Sequence, residues 1–399
     1  MLDFEEALAR LLAGANPVRE TEAVPTQSAA GRILAQALHS GIDVPPLDNS
    51  SMDGYALRCA DVPGADAQLV VAQRIPAGSV GHVLAPGTAA RIFTGAPLPV
   101  GADAVVMQEL CVLDGDRLTV NHVPRRGEWI RRRGEDIAAG SEVVAAGTRL
   151  SAAHVGVAAS VGAARLEVFR RLRVALFSTG DELAMPGEAL KPGGIYNSNR
   201  YTLRALLEGL GCEVADFGIV PDRLQATRAV LREAAAGNDL ILTSGGVSVG
   251  EEDHVKPAVE AEGVLDLWKI AIKPGKPLAF GSVGTGVGAG AAAASFIGLP
   301  GNPVSSFVTF LMLVRPFILK AQGASAVMPR AQQLRADFES KGDPRREFLR
   351  ARVNAEGALE PFPNQSSGVL TSCVWADGLI DNPPGQVIRR GDIVRFLPF

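Results

Sequence analysis

The sequence predicts a multidomain α/β protein with a central α/β domain on a mostly parallel sheet, a helical framework domain, an inserted β-rich domain and a C-terminal β-barrel. Three observations lead to this fold class. At 399 residues the chain is longer than one hydrophobic core usually grows, so two to four domains are expected. Short β-prone runs between Pro and Gly turns fill residues 41–140. From residue 171 onward, strand and helix patterns alternate, which is typical of a parallel sheet.

The composition is that of an ordinary globular protein, with 47% hydrophobic and 21% charged residues. The formal net charge of −4 gives no overall basic field, so neither nucleic acid nor a membrane is an expected partner. Four cysteines lie far apart and form no CxxC pair, and the N-terminus carries Asp3, Glu5 and Glu6 where a secretory signal would need positive charge. Because disulfides and export signals are both unsupported, a cytoplasmic location is predicted.

The framework is predicted from two separated segments, 1–41 and 140–170. Apolar residues at helical spacing predict a helix over 3–13, and a second short helix is expected over 29–38. Ser151 is a suitable N-cap for a helix running to about residue 160. The chain therefore returns to the framework after the β-rich segment, which we interpret as an insertion over 42–139.

The central α/β domain is predicted over 171–323 and a C-terminal β domain over 324–399. Predicted strands of the central domain cover 174–177, 214–220, 240–243, 267–272, 277–280 and 295–298, with helices between them. The apolar stretch 304–319 is too short for a membrane span and contains Arg315 and Pro316, so a buried helix is expected. The Gly/Ala tract 281–294 predicts a loop without assigned chemistry. The C-terminal runs fit a closing β-barrel or a sandwich.

Two loops that follow predicted strands offer phosphate and metal chemistry. In open parallel sheets, ligands bind at the carboxyl ends of the strands. One loop presents Ser178, Thr179 and Gly180 ahead of Glu182, although a helix cap would use the same residue types. The other contains four candidate ligand contacts: Ser244, Gly245, Gly246 and Ser248. Its glycines allow backbone N–H groups to surround a phosphate, and the following Asp253 suggests Mg²⁺; a plain turn is the alternative.

Two further loops predict an anion site. Lys273 and Lys276 lie in a Pro- and Gly-stiffened KPGKP segment, and like charges seldom gather without an anion, although a solvated surface pair is possible. Pro300, Asn302 and Pro303 lead into the apolar helix, with Asn302 as N-cap and Pro303 at the first helical position. A helix N-terminus can bind an anion, but a cap needs no ligand.

Two acidic loops lie outside the central domain. The segment 48–55 is dense in polar turn formers and contains Met52 and Tyr55, which indicates an ordered loop around Asp53. A second loop at 133–136 ends in Asp136. Taken alone, each loop could equally be a surface turn.

Taken together, these segments resemble the molybdopterin molybdenumtransferase (MoeA) family, to which the E domain of gephyrin is related. The likeness covers nearly the whole chain. It rests on DNSSMDGYA at 48–56, RIFTGAPLP at 91–99, RRRGED at 131–136, STGDEL at 178–183, IYNSNRYTL at 195–203, TSGGVSVGEEDHVK at 243–256, KPGKPLAFG at 273–281 and GLPGNPVSSFVTF at 298–310. The family's usual DNSAMDG motif has Ser51 in place of Ala here.

The resemblance implies an elongated homodimer whose active site lies between the α/β domain of one subunit and the β insertion of the other. It implies molybdenum insertion from molybdate into adenylylated molybdopterin with Mg²⁺-dependent release of AMP. The expected catalytic residues are Asp53, Thr94, Asp136, Glu182, Asp222 and Asp253; the first three would come from the partner subunit, and Asp53, Glu182 and Asp253 would bind Mg²⁺. The expected substrate-binding residues are Ser178, Thr179, Gly180, Ser244, Gly245, Gly246, Ser248, Pro300, Asn302 and Pro303, with Lys273, Lys276, Arg350 and Ser367 receiving molybdate.

Two alternatives stay open at this point. A molybdopterin adenylyltransferase shares the α/β domain but would consume ATP, and a gephyrin-like dimeric scaffold would lack catalysis. If the chain is the insertion enzyme, its expected protein partners are a molybdopterin adenylyltransferase and downstream maturation proteins of molybdoenzymes. The choice between molybdenum and tungsten is open, because the two oxyanions have nearly the same shape and charge.

Overall fold

A computed structural model describes residues 1–246, 254–284 and 293–399, and the central domain is built on a six-stranded sheet. The strands lie in the order Glu213–Val220, Arg173–Thr179, Leu240–Ser244, Ala293–Leu299, Pro277–Gly284 and Gly263–Lys269. The first four are mutually parallel, and the last two are antiparallel to their neighbours. Two antiparallel steps return Gly263–Lys269 to the direction of the parallel strands. The predicted mostly parallel sheet is confirmed, and the loop after Lys269 lies at the carboxyl edge.

Helices cover both faces of this central sheet because alternate strand residues point in opposite directions. On strand Arg173–Thr179, Val174 and Leu176 pack into one core cluster and Ala175 and Phe177 into another. The helices are Ser198–Gly209, Leu224–Ala235, Val255–Glu262 and a longer apolar stretch that comprises Pro303–Thr309, a π turn at Phe310–Val314, and Arg315–Ala321. The domain is therefore three layers thick.

The apolar stretch Pro303–Ala321 is the one helix, within the described residues, long and apolar enough to cross a membrane. Its length and composition alone would allow this, but 78% of its most apolar part is buried inside the protein. Its side chains, including Val304, Val308 and Phe317, belong to the largest core cluster. This burial agrees with the predicted core helix.

The predicted strand at 267–272 and the predicted loop at 281–294 both need correction. The chain forms two strands, Gly263–Lys269 and Ile272–Lys273, which belong to different sheets. Residues 281–284 and 293–294 are strand rather than loop, while 285–292 lie outside the described residues. Gly281 is paired opposite Leu265, and a Cβ there would overlap the carbonyl oxygen of Val264. In the described part of this tract, glycine thus serves close strand packing.

The framework segments contain two of the predicted helices, Phe4–Ala13 and Ala152–Ser160, and several short strands. Helix Ala152–Ser160 begins after Ser151, whose side chain accepts from the His154 amide, as predicted. Thr21–Pro25 pairs with Arg165–Phe169, and Leu38–His39 pairs with Glu142–Val144. A 3₁₀ turn lies at Thr26–Ser28.

The helix predicted over 29–38 is wrong. Gly31 has φ of 79°, which interrupts a right-handed helix. The amide of Leu34 donates to Thr148 O at 3.0 Å, and that of Ala35 donates to Glu167 O at 2.9 Å. Bonding to two distant segments replaces the local bonds that a helix would need.

The N-terminal helix Phe4–Ala13 packs on the central core. Phe4, Ala7 and Leu11 are buried in the same cluster as the apolar helix of the central domain. Phe4 also lies against Phe348 of the C-terminal domain, with ring centroids 5.4 Å apart. The helix therefore joins two domains by its apolar face.

The insertion is a second six-stranded sheet. Its order is Ala104–Met107, Gly54–Leu57, Thr88–Ile92, Ala67–Ile75, Arg117–Val120 and Cys111–Asp114. Ile130–Arg131 pairs separately with Asn49–Ser50, and 3₁₀ turns lie at Cys59–Asp61 and Gln108–Leu110. This architecture agrees with the predicted β-rich insertion.

The C-terminal domain is a barrel closed by one bridge. Its strands are Ile272–Lys273, Arg346–Val353, Gly378–Asn382, Ile393–Pro398 and Gln332–Arg335, with Leu359–Pro361 paired to Arg346–Val353 and a short helix at Thr371–Trp375. Ala336 bridges Leu359, and the Asp337 amide donates to Leu359 O at 2.8 Å. The predicted barrel is confirmed. Because Ile272–Lys273 belongs to this sheet, the loop that follows it is held between two domains.

Candidate functional site

A cavity of about 1100 Å³ lies at the carboxyl edge of the central sheet, where the C-terminal domain meets it. All four loops singled out in the central domain line it, together with a C-terminal loop at 365–368. The predicted site residues on its wall are Thr179, Gly180, Glu182, Asp222, Ser244, Gly245, Gly246, Lys273, Lys276, Pro300, Asn302, Pro303 and Ser367. The structure therefore brings together the strand-end loops that sequence patterns identified separately. A small strand pair, Leu183–Ala184 with Ile195–Tyr196, borders the same cavity.

The glycine loop packs tightly against the neighbouring strand end. Gly245 and Gly246 have φ of 89° and 66°, and a Cβ on Gly245 would stand 2.9 Å from Thr179 O. The Gly245 amide donates to Leu299 O at 3.1 Å, so it is already used within the protein. Ser178 is fully buried below the cavity, with its Oγ 3.4 Å from Ser244 Oγ. Here the glycines permit close packing, and Ser178 supports the wall without lining it.

Three carboxylates gather at one end of the cavity. The amides of Asp181 and Asp222 each donate to the other residue's carboxylate, at 3.3 and 3.2 Å. Burial raises the pKa of Asp222, and the negative charges of Asp181 and Glu182 add to the rise. The Glu182 carboxylate folds over Gly180, where a Cβ would come 2.7 Å from Glu182 Oε2. This end concentrates negative charge that a cation would relieve.

The other end of the cavity carries the two lysines, and among the described residues one of them is paired. Lys273 Nζ donates to Glu347 Oε1 at 3.0 Å and lies 3.1 Å from Asp343 Oδ2. Burial lowers the pKa of Lys273, but these carboxylates outweigh burial and raise it. Lys276 is exposed and forms no ion pair with the part of the chain described. The sequence argument expected an external anion for both lysines, whereas the protein itself supplies the anions for Lys273.

Arg350 does not face the cavity, contrary to the expectation that it receives molybdate directly. Its side chain is buried, with 1% of the residue exposed. The guanidinium donates to Ser372 Oγ at 3.1 Å and to Ser366 O at 3.3 Å. Burial lowers its pKa. Arg350 therefore braces the 365–368 wall from behind, while Ser367 lines the cavity and accepts from the Val304 amide at 3.0 Å.

The loop before the apolar helix has the predicted cap geometry. Asn302 is the N-cap and Pro303 the first residue of Pro303–Thr309. The Asn302 side chain makes no capping hydrogen bond, although the backbone carbonyl of Asn302 accepts from the Ser306 amide at 2.9 Å. The exposed Asn302 amide group is thus available at the cavity wall.

The predicted residues of the insertion do not line this cavity within one chain. Asp53 Oδ1 accepts from both the amide and the hydroxyl of Thr94, each at 2.8 Å, and these bonds lower the pKa of Asp53. Asp136 is exposed on a neighbouring loop. The family resemblance assigned Asp53, Thr94 and Asp136 to the partner's site, which a single chain does not test.

Two predicted residues, Ser248 and Asp253, lie outside the described residues. Within the described ranges, no group of three or more His, Cys, Asp or Glu side chains is arranged to hold a metal ion. The predicted magnesium set of Asp53, Glu182 and Asp253 therefore stays a prediction.

Several cavity residues were missed by the sequence argument. They are Tyr196, Asn197, Ser198, Asn199, Arg345, Gln365 and Ser366. Asn197 is the N-cap of Ser198–Gly209, and the Asn199 side chain donates to Gly301 O at 2.8 Å across the cavity wall. The run of three polar residues before a helical pattern was a usable signal. Arg345 had no comparable local signal, because only the barrel brings it to the cavity.

Family models match most of the chain. The MoeA N-terminal region (domain I and II) matches residues 2–162, the probable molybdopterin binding domain matches 175–320, and the MoeA C-terminal region (domain IV) matches 333–399. The first matched region contains the sheet of the insertion, the second the central sheet, and the third most of the C-terminal barrel.

Curated relatives and a solved structure extend over similar lengths. A molybdopterin molybdenumtransferase from Haemophilus influenzae is 43% identical over 325 residues, 81% of this chain and 78% of that protein. One from Nostoc is 39% identical, covering 92% of this chain and 86% of that protein. The crystal structure of the molybdopterin biosynthesis MoeA protein from Pyrococcus horikoshii superimposes with a TM-score of 0.84 at 28% identity, covering all of both chains. The chain belongs to the molybdopterin molybdenumtransferase (MoeA) family.

Proposed function

We propose that this protein inserts molybdenum from molybdate into adenylylated molybdopterin, with Mg²⁺-dependent release of AMP. The names of its relatives give the reaction class. The observation that carries the proposal is one cavity with carboxylates at one end and lysines at the other. A substrate with a phosphoryl group and an incoming oxyanion needs both kinds of surface.

The lysine end suits a tetrahedral dianion. Lys276 brings a positive charge without a carboxylate partner among the described residues, and Ser367 adds a hydroxyl donor. Hydrogen bonds from charged donors to oxyanions are about twice as strong as neutral ones. Lys273 contributes part of its charge, because it is shared with Glu347 and Asp343. Molybdate would bind here.

The carboxylate end suits Mg²⁺. Glu182 and Asp222 both line the cavity, and the raised pKa of Asp222 reflects burial and the negative charges of Asp181 and Glu182. Oxygen ligands of this kind are the ones Mg²⁺ prefers. When bound, Mg²⁺ would offset charge on the phosphoryl oxygens of the adenylylated pterin. The chain's own part is to keep these carboxylates close and to place the 244–246 wall beside them.

A homodimer would complete the site. Asp53 and Thr94 form an exposed, hydrogen-bonded pair on the insertion and do not line the cavity of their own chain. As part of the proposal, the partner subunit presents this pair and Asp136 to the carboxylate end. The cytoplasmic location and the protein partners named above also belong to the proposal.

Measuring AMP release from adenylylated molybdopterin tests the reaction. The purified full chain should release AMP with Mg²⁺ and molybdate, and EDTA should abolish release. Turnover of ATP with unadenylylated molybdopterin would instead support an adenylyltransferase. Absence of both activities in a folded, dimeric preparation would contradict the enzyme assignment and favour a scaffold.

A further inference from the structure

Asp343 is a shared counter-ion for two cationic side chains that line the cavity. Its Oδ2 lies 3.1 Å from Lys273 Nζ, and its two oxygens pair with Arg345 Nε and Nη2 at 3.0 and 3.2 Å. Lys273 and Arg345 reach the cavity wall, whereas Asp343 stands behind them. The carboxylate therefore contacts both donors without occupying the cavity itself.

The charges in this group are balanced before any ligand arrives. Glu347 is the second carboxylate on Lys273, at 3.0 Å, and it is 4% exposed. Two cations, Lys273 and Arg345, thus face two carboxylates, Asp343 and Glu347. An arriving oxyanion must share donors that already have acidic partners. Such competition lowers affinity compared with free cations.

The two carboxylates differ in what they hold. Glu347 is buried and, among the cations of the described residues, pairs with Lys273 alone, so removing it would leave a cavity deep in the barrel wall. Asp343 contacts both cations and also accepts from the Arg345 amide at 3.0 Å. An Asn side chain could still accept that amide bond while lacking the charge, so the turn at 343–345 can be kept.

We propose that Asp343 limits the affinity of the oxyanion end of the cavity and keeps binding reversible, by competing with the substrate for Lys273 and Arg345. This inference rests on the proposed function, because the oxyanion concerned is its substrate. Asp343 is a positioning residue: it acts through the two side chains it holds. A site that must pass its oxyanion onward gains from such competition, since tight binding would oppose transfer.

Calorimetric titration of the purified full chain with molybdate, and separately with sulfate, tests the proposal. Asp343→Asn should bind molybdate about tenfold more tightly than the unaltered chain, which corresponds to about 1.4 kcal/mol. The gain should shrink as salt is raised, because the Lys273 and Arg345 side chains are partly exposed and salt screens their attraction for an anion. Asp343→Glu keeps the charge and should bind as the unaltered chain does. In turnover, Asp343→Asn should lower the KM for molybdate without raising kcat.

Glu360→Gln is the matched control. It removes the same charge and one ion pair, Arg352 with Glu360, from the same domain but outside the cavity. Its molybdate affinity should not change. A merely structural Asp343 would leave binding equal or weaker in Asp343→Asn, and that result would overturn the proposal. If Asp343→Asn melts early, Asp343→Ser repeats the test with a smaller acceptor for the Arg345 amide.

The outcomes separate this inference from the proposed function. Molybdate-dependent AMP release together with no tightening in Asp343→Asn would reject the counter-ion role alone. Tighter oxyanion binding in Asp343→Asn without any AMP release by the unaltered chain would reject the proposed reaction and leave the counter-ion role standing. No binding of either oxyanion at millimolar concentration in any variant would reject both.

Discussion

Gly275 holds the lysine loop against the apolar helix, and its replacement by Ala is the sharpest test of the site's construction. Gly275 has φ of 103°, and a Cβ there would overlap Thr309 Oγ1 and stand 3.4 Å from Ser305 O. The left-handed backbone costs an L-residue roughly 1–2 kcal/mol. Overpacking against a buried neighbour adds about 1–3 kcal/mol. Gly275→Ala should therefore destabilise the loop by about 2–5 kcal/mol.

The structure supplies both a control and a rescue. Gly193 has φ of 82° with no neighbour within 4 Å of a Cβ, so Gly193→Ala should show only the backbone cost. Thr309 Oγ1 is buried and has no hydrogen-bond partner among the described residues, so Thr309→Ala relieves the overlap without breaking a hydrogen bond. The double variant Gly275→Ala/Thr309→Ala should recover part of the stability.

Urea denaturation followed by circular dichroism, with molybdate titration in parallel, measures both effects. Gly275→Ala should lower the denaturation midpoint more than Gly193→Ala does, and it should weaken molybdate binding because Lys273 and Lys276 move with the loop. The double-mutant cycle isolates the overlap. Equal midpoints for the two single variants would show that the loop is not held by this contact, and the reasoning would fail.

Three further predictions concern charge. Lys276→Ala should raise the KM for molybdate on the order of tenfold and leave the melting temperature unchanged. Lys273→Ala should raise this KM and also lower the melting temperature, because buried Glu347 loses its cation. Steady-state kinetics and thermal melts of both variants check this. The pKa of Asp222 is higher in the folded chain than in the unfolded chain. Ionisation of Asp222 therefore lowers the stability of the fold as the pH rises from the unfolded-state pKa through the folded-state pKa. Asp222→Asn should therefore raise the melting temperature at neutral pH, not at pH 3, while AMP release falls; a lower melting temperature at neutral pH would contradict this. Arg350→Lys keeps the charge but loses the planar guanidinium that donates to Ser366 O and Ser372 Oγ. Urea denaturation should therefore show a loss of about 2–4 kcal/mol in the free energy of unfolding. An unchanged denaturation midpoint would refute the bracing role.

The fold was largely predictable because local patterns and global architecture agree. Alternating apolar runs and helical spacing identified the central sheet and the buried helix, and Ser151 marked a real helix start. The helix expected over 29–38 failed because its backbone bonds go to segments more than a hundred residues away, such as Thr148. Residue spacing within a window carries no information about such partners. The exact domain limits remain predictions.

The candidate site was predictable where residues follow strand ends, and not where a second domain supplies them. Ser244, Asp222 and Lys276 all reach one cavity because the carboxyl ends of the strands share one edge. Arg345 and Gln365 reach the same cavity only because the strand Ile272–Lys273 pairs with Arg346–Val353 and draws the barrel against the central sheet. That pairing joins segments about seventy residues apart in sequence, and the sequence of neither segment indicates that it pairs with the other.

The sequence could not show which charged side chains are neutralised by a partner within the protein. The KPGKP segment offers two lysines that look equivalent along the chain, yet Lys273 is paired with Asp343 and Glu347 while Lys276 has no such partner in the described residues. Because a cation attracts a ligand only to the extent that its charge is uncompensated, the two lysines have different tasks. Lys273 holds the lysine loop to the barrel, and Lys276 carries most of the free positive charge that the described residues place at the lysine end of the cavity. A sequence shows where charges are placed along the chain, but only the fold determines which of them remain available to a substrate.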